Sequence, residues 1–233
     1  MIVLSICVIV VSIIIAIVIV SVSSSSSDGG TSHRQYREQR LSHTDQNEIE
    51  RIGKLGENHV AKYLSDLAVS SNGYLFNDFC FEDEEGYSSE IDHILITRGG
   101  IFVIETKTNK GIIVGSIDDE YWKCIKKNYQ EDKSFKNPII QNQKHINHLK
   151  KMFGKNSPKM MSVIIFPIAN VSRIEENNAY NLNDAMVFIK DLTNEERYSQ
   201  QFVVNVFNKL TNIKNTCGIT KEKHIENINR IYH

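Results

Sequence analysis

The longest unbroken apolar run opens the chain. Ile2 to Val22 carries no charge and is almost wholly Ile, Val and Leu, with Ser5, Ser12 and Ala16 among them. That length matches the ~20 residues a helix needs to span a bilayer core and predicts a transmembrane helix over 1–22. A cleaved signal peptide would want a basic start and a shorter run, and a core helix would want a periodic polar face; neither pattern is present. A Ser-rich polar linker is expected over 23–43. From Asp45 to Val69 the apolar positions Ile49, Ile52, Leu55, Val60, Tyr63, Leu64 and Leu67 recur at helical steps. Gly53 and Gly56 interrupt that stripe, where small residues let a helix approach another backbone closely.

Strands are predicted over Tyr74–Phe81, Ile91–Thr97 and Ile101–Ile104, the last two apolar on both faces as central strands are. A small hairpin, Ile112–Ser116 with Tyr121–Lys123, leads to a lysine-rich loop. Asn137-Pro138 starts a helix that Gly154 ends. Met160–Pro167 and Ala185–Ile189 read as further strands, and Asn194–Leu210 and Lys221–Ile231 as helices. The order describes an α/β layered domain: a core over 44–153, completed by 154–233.

Composition changes this picture little. Of 233 residues, 41% are hydrophobic and 24% charged, as in a globular protein, and the net charge of −1 announces no global affinity for polyanions. A nucleic-acid partner would need a local basic face. Lys123, Lys126, Lys127, Lys133 and Lys136, with Lys144, Lys150, Lys151, Lys155 and Lys159, offer one, with Tyr121, Trp122 and Tyr129 interleaved for base stacking; an ordinary solvated lysine face is the equal alternative. Cys7, Cys80, Cys124 and Cys217 form neither a disulfide framework nor a zinc knuckle and suit a reducing compartment. Arg34, Arg37 and Arg40 close behind the apolar run predict a cytoplasmic domain by the positive-inside rule, with the amino terminus outside; the alternative is that they only keep the linker soluble, which leaves the orientation open.

The chemistry gathers around the Arg98-Gly99-Gly100 turn. Asp92, Glu105 and Lys107 are charges inside two apolar strands, where charge is costly unless paired or bound to metal. Glu105 and Lys107 alternate onto one face, and a regular antiparallel register brings Asp92 beside them. Two carboxylates suit Mg²⁺, which takes oxygen ligands and keeps several waters, and the Thr106 carbonyl can add another oxygen. The plainer alternative is a buried Asp92–Lys107 ion pair with Glu105 exposed. Glu57 alone reads as an exposed helix glutamate. His93 faces away from Asp92 as a core histidine, and His145 and His148 read as surface residues. No helix-turn-helix, zinc finger or Walker loop is visible.

Four ordered blocks carry a resemblance: Gly53-Lys54-Leu55-Gly56-Glu57, Glu90-Ile91-Asp92-His93-Ile94-Leu95-Ile96, Gly100-Ile101-Phe102-Val103-Ile104-Glu105-Thr106-Lys107 and Asn137-Pro138-Ile139-Ile140-Gln141-Asn142. Together they resemble the nuclease-related domain, NERD, of the PD-(D/E)xK nuclease superfamily, over about Asp45 to Phe153. The resemblance implies a central mixed β-sheet flanked by helices, restriction-endonuclease-like. It implies an active site of Glu57, Asp92, Glu105, Lys107 and Gln141, with Asp92, Glu105 and Glu57 holding Mg²⁺ or Mn²⁺. Lys107 would serve the attacking water, and Gln141 would lie near the metal or the phosphate. The expected function is a membrane-anchored, metal-dependent nuclease acting on DNA; the alternative is a non-catalytic nucleic-acid-binding or protein-interaction module on the same fold.

Overall fold

The computed structural model describes residues 31–126, 132–174 and 178–232. The expected membrane span lies outside them, as does Tyr129. Among the described residues no helix is long and apolar enough to cross a membrane.

Helix α1 (Thr31–Ser70) is followed by strands β1 (Tyr74–Glu82), β2 (Ser88–Thr97) and β3 (Gly100–Thr106). Next come β4 (Ile112–Val114), β5 (Tyr121–Ile125), β6 (Lys133–Lys136), α2 (Pro138–Phe153) and β7 (Met160–Phe166). The chain ends with β8 (Asn170–Arg173), β9 (Ala179–Asn181), α3 (Leu182–Asn194), α4 (Gln200–Cys217) and α5 (Lys221–Tyr232).

The central sheet is mixed, in the order β1-β2-β3-β7-β9. β1, β2 and β3 are antiparallel neighbours, while β7 and β9 run parallel to β3. The continuous apolar runs of β2 and β3 are explained by cover on both faces. On one face Phe79, Phe81, Ile94 and Val103 pack with Ile146 and Leu149 of α2 and Val203, Val206 and Leu210 of α4. On the other, Leu95, Phe102 and Ile104 pack with Val60 and Leu64 of α1 and Ala185 and Ile189 of α3. Each such side chain, fully buried, contributes about 1.5–3 kcal/mol. The second sheet, β6-β5-β4-β8, closes over its own cluster of Ile113, Trp122, Cys124 and Phe135, which packs on Ile139 of α2 and on Phe166.

Four expectations are corrected here. α1 starts at Thr31, ahead of Asp45, through a stretch rich in the good helix formers Gln, Arg and Glu. Ala185–Ile189 is helix, not strand: the Asn181 side chain accepts from the Asp184 amide at 3.0 Å, and the buried positions Ala185, Ile189 and Thr193 recur every four residues. α4 starts at Gln200 instead of Asn194, because Ser199 caps it by accepting from the Phe202 amide at 3.2 Å. The lysine-rich loop contains β6, whose Phe135 turns into the second sheet's core.

The turn between β2 and β3 is locked to α3. Thr97 and Thr193 share a buried hydroxyl hydrogen bond of 3.2 Å, and the Gly99 amide donates to Thr97 Oγ1 at 3.1 Å. A Cβ at Gly99 would sit 2.1 Å from the Leu192 carbonyl oxygen and 2.4 Å from Thr193 Cα. Both are backbone atoms, so the contact is relieved only by moving the helix. We expect Gly99→Ala to cost about 2 kcal/mol, a fall in Tm of roughly 4–8 °C by thermal denaturation. An unchanged Tm would mean that α3 does not dock this tightly.

Candidate active site

The site begins with an irregularity. β1 and β2 pair regularly on either side of Asp78 and Asp92, but those two residues are skipped. Asp78 has φ 50°, in the left-handed region that Asp tolerates better than most residues. Phe76 before it and Phe79 and Phe81 after it face the same core, as do Ile91 and, beyond Asp92, Ile94 and Ile96. Both strands therefore change phase at this point. The regular β2–β3 ladder ends at His93 opposite Ile104. Asp92 Oδ2 then accepts the Thr106 amide at 2.7 Å, satisfying a backbone donor that β2 no longer reaches.

Glu105 is the buried centre, only 3% exposed. Its Oε1 accepts from Lys107 Nζ at 2.6 Å and from Gln141 Nε2 at 2.8 Å, and Lys107 also donates to Gln141 Oε1 at 2.9 Å. The alternative of an Asp92–Lys107 pair with Glu105 exposed is thereby overturned: Lys107 pairs with Glu105, and Glu105 is the most enclosed of the three. Gln141 reaches this point because two asparagines fix its helix. Asn137 Oδ1 accepts from the Ile139 amide at 2.9 Å, while its Nδ2 donates to the carbonyls of Ser116, Ile117 and Asp119. Asn142 Nδ2 donates to the Val103 carbonyl at 2.8 Å and to Ser162 Oγ at 2.9 Å, tying α2 to β3 and β7.

Glu57 comes from α1 and is half-buried, not exposed. Its partner is Lys54 at 3.3 Å, which also holds Asp78 at 2.6 Å. The close approach expected of the helix glycines occurs at Gly56, where a Cβ would lie 2.1 Å from Thr108 Cγ2; at Gly53 a Cβ would meet nothing. Thr108 follows Lys107 directly, so this contact seats Glu57 over the end of β3.

The electrostatics follow from these placements. Burial, then the charges of Glu105 and Glu57, push the Asp92 carboxyl well above the ordinary range, against the Thr106 amide and Lys107. Burial disfavours the Lys107 ammonium, but Glu105, Asp92 and Glu57 outweigh it and raise its pKa. The centre is short of positive charge. Among the described residues no group of three or more His, Cys, Asp or Glu side chains forms a ready metal cage. Asp92 and Glu105 are carboxylates of the kind that suits Mg²⁺ or Mn²⁺, which need one or two of them and complete the shell with water.

The histidines sort differently from expectation. His93 is the core histidine predicted: Nδ1 lies 2.8 Å from Asn77 Oδ1, and burial lowers its pKa to about 4. His145 and His148 are not surface residues. His145 Nε2 is buried 3.9 Å from Glu105 Oε2, on the side of the carboxylate away from Lys107. His148 bridges Ser89 Oγ at 2.8 Å and Asp83 Oδ2 at 3.1 Å over the Phe81 ring. Both are ordinary positions of α2 facing the sheet, where strand polar groups receive them. Trp122 does not stack bases, since it is fully buried and donates Nε1–H to the Ser116 carbonyl at 2.8 Å. Tyr121 and Lys123 lie on the solvent side of β5, with Lys136 paired across from Tyr121. Sequence reasoning gave no role to Lys54 or Glu90, although both stand inside the quoted blocks.

This layered α/β fold carries two carboxylates and a lysine around the end of β3. The chain belongs to the NERD family, the nuclease-related domain, whose family model matches residues 52–167; the family lies in the PD-(D/E)xK-like nuclease superfamily. An uncharacterized protein of Bacillus anthracis is 31% identical over 153 residues, covering 62% of this chain and 71% of the relative. No solved structure matches the chain.

Proposed function

We propose that this protein is a Mg²⁺-dependent nuclease that hydrolyses phosphodiester bonds of DNA. The observation that supports this reading is the hydrogen-bonded set of Glu105, Lys107 and Gln141 at the end of β3, with the Asp92 carboxylate bonded to the amide of Thr106 between Glu105 and Lys107. Asp92 and Glu105, assisted by Glu57, hold the metal, and Mn²⁺ suits the same oxygen ligands. Bound there, the metal would supply Lewis-acid stabilisation of the phosphate and a lowered pKa for the attacking water. Lys107 is anchored by Glu105 and Gln141, and its ammonium, kept charged, orients the water and stabilises charge forming on the phosphate oxygens. Gln141 fixes the Lys107 and Glu105 head groups in one geometry. The apolar run over 1–22 supports a membrane tether for the domain, and Arg34, Arg37 and Arg40 behind it support a cytoplasmic position.

The test is incubation of the full-length protein with linear, nicked and single-stranded DNA, with Mg²⁺, with Mn²⁺ and with chelator. We expect degradation that requires the metal. DNA binding without degradation under any metal would replace this reading with that of a non-catalytic binding module.

A further inference from the structure

The chain beyond residue 167 sends one cation back to the site. After α4, Gly218 bridges to Phe81 and the Ile219 amide donates to the Cys80 carbonyl at 3.3 Å, so this segment crosses the edge of β1. Thr220 then caps α5, accepting from the Lys223 amide at 3.2 Å. One face of α5 docks by polar contacts: Asn227 Nδ2 donates to Glu82 at 2.9 Å, His224 Nδ1 meets Ser88 Oγ at 2.7 Å, and Lys221 pairs with Glu90. Glu90 stands two residues before Asp92 on β2. The Lys221–Glu90 pair is thus the end of the docking face nearest the carboxylates.

We propose that Lys221 is a substrate-binding residue, contacting a DNA phosphate next to the one being cut. The proposal rests on the nuclease reading above. Three features support it. The Lys221 side chain remains 49% exposed while that of its partner Glu90 is 18% exposed, so an open cation is held on an enclosed anchor. An ammonium has three donors, and Glu90 leaves others for a phosphate oxygen. Glu57 and Asp92 both act on Lys221, and Glu57 and Glu105 on Glu90, which places the pair within the field of the metal-binding carboxylates. A duplex entering that acidic centre needs cations at its rim. Lys107 is committed to Glu105 and Gln141, and Lys54 to two carboxylates, Asp78 and Glu57, whereas Lys221 has one carboxylate partner among the described residues, Glu90, and a half-exposed side chain.

The experiment measures Mg²⁺-dependent cleavage and DNA binding by the full-length protein over a range of salt, for wild type, Lys221→Ala, Lys221→Arg and Ser88→Ala. Ser88→Ala loosens α5 at the neighbouring contact without touching charge. We expect Lys221→Ala to raise KM about tenfold with kcat little changed, and to reduce the slope of log affinity against log salt by roughly one phosphate contact. Lys221→Arg should restore both, and Ser88→Ala should leave both as in wild type. If Ser88→Ala raises KM as much as Lys221→Ala, or if Lys221→Ala keeps the wild-type KM and salt slope, the inference fails while the nuclease reading stands. If wild type neither binds nor cuts DNA, the nuclease reading fails first.

Discussion

Asp92→Asn should abolish cleavage and at the same time make the metal-free protein more stable. The loss follows from removing a carboxylate proposed to hold the metal, a fall on the order of 10³ in kcat/KM, equivalent to about 4 kcal/mol of transition-state stabilisation. The gain follows from the crowding of like charge. Asp92 is held above its ordinary pKa by burial and by Glu105 and Glu57. The folded state therefore binds the Asp92 proton more tightly than the unfolded chain does. Stability from that proton is complete below the ordinary carboxylate range and is lost as pH climbs through the raised folded value. Above the ordinary carboxylate range the unfolded chain holds Asp92 ionised at no cost and the fold does not, and the amide removes that penalty while its oxygen still accepts the Thr106 amide. An effect of about 1 kcal/mol would raise Tm by roughly 2–4 °C. Thermal denaturation at several pH values checks this: the gap between variant and wild type should close in acid. Added Mg²⁺ should raise the wild-type Tm and leave the variant unmoved. A variant less stable than wild type at neutral pH would show that Asp92 is a structural carboxylate and not a strained one.

Lys107→Ala should lose both activity and stability, the opposite pairing. Its ammonium is the counter-charge of a carboxylate only 4% exposed in its side chain, and removing one partner of a buried pair costs about 3–5 kcal/mol. Lys107 is itself partly open to solvent, which sets the expected loss at the low end, about 3 kcal/mol. Cleavage should fall by roughly 10²–10³ in kcat. Lys107→Arg should not rescue it, because a planar guanidinium cannot replace a point charge held between Glu105 Oε1 and Gln141 Oε1. The double variant Glu105→Gln/Lys107→Met separates the two effects. With neither charge left unpaired it should regain most of the stability by urea denaturation and remain inactive. Substantial cleavage by Lys107→Ala would remove this lysine from the mechanism.

The elements that position the site were legible because their signals are local. Asn137-Pro138 sets the start of α2 and Gly154 its end, and the apolar runs around Gly99-Gly100 make the central hairpin. The meeting of Glu105, Lys107 and Gln141 was readable from the third and fourth blocks in order, though not from Asp92, Glu105 and Lys107 alone, which a salt bridge would serve as well. What escaped depends on tertiary partners. A short apolar run such as Ala185–Ile189 suits a strand or a buried helix face, and only the cap at Asn181 decides. Trp122 looks like a stacking residue until the alternation of β5 turns it inward. His145 and Lys221 come near Glu105 and Glu90 across 40 and 131 positions respectively, and no periodicity joins such distant residues.

The strap at Gly218–Ile219 has a further consequence, for solubility. β1 is an outer strand of the central sheet, and its exposed backbone would offer a template for strands of other molecules. The bridge from Gly218 to Phe81 and the bond from Ile219 to Cys80 cover that edge just where Phe79 and Phe81 make it most apolar. A chain shortened before Gly218 therefore opens an adhesive edge as well as losing α5. It would self-associate, and its silence in an assay would reflect aggregation before it reflected chemistry.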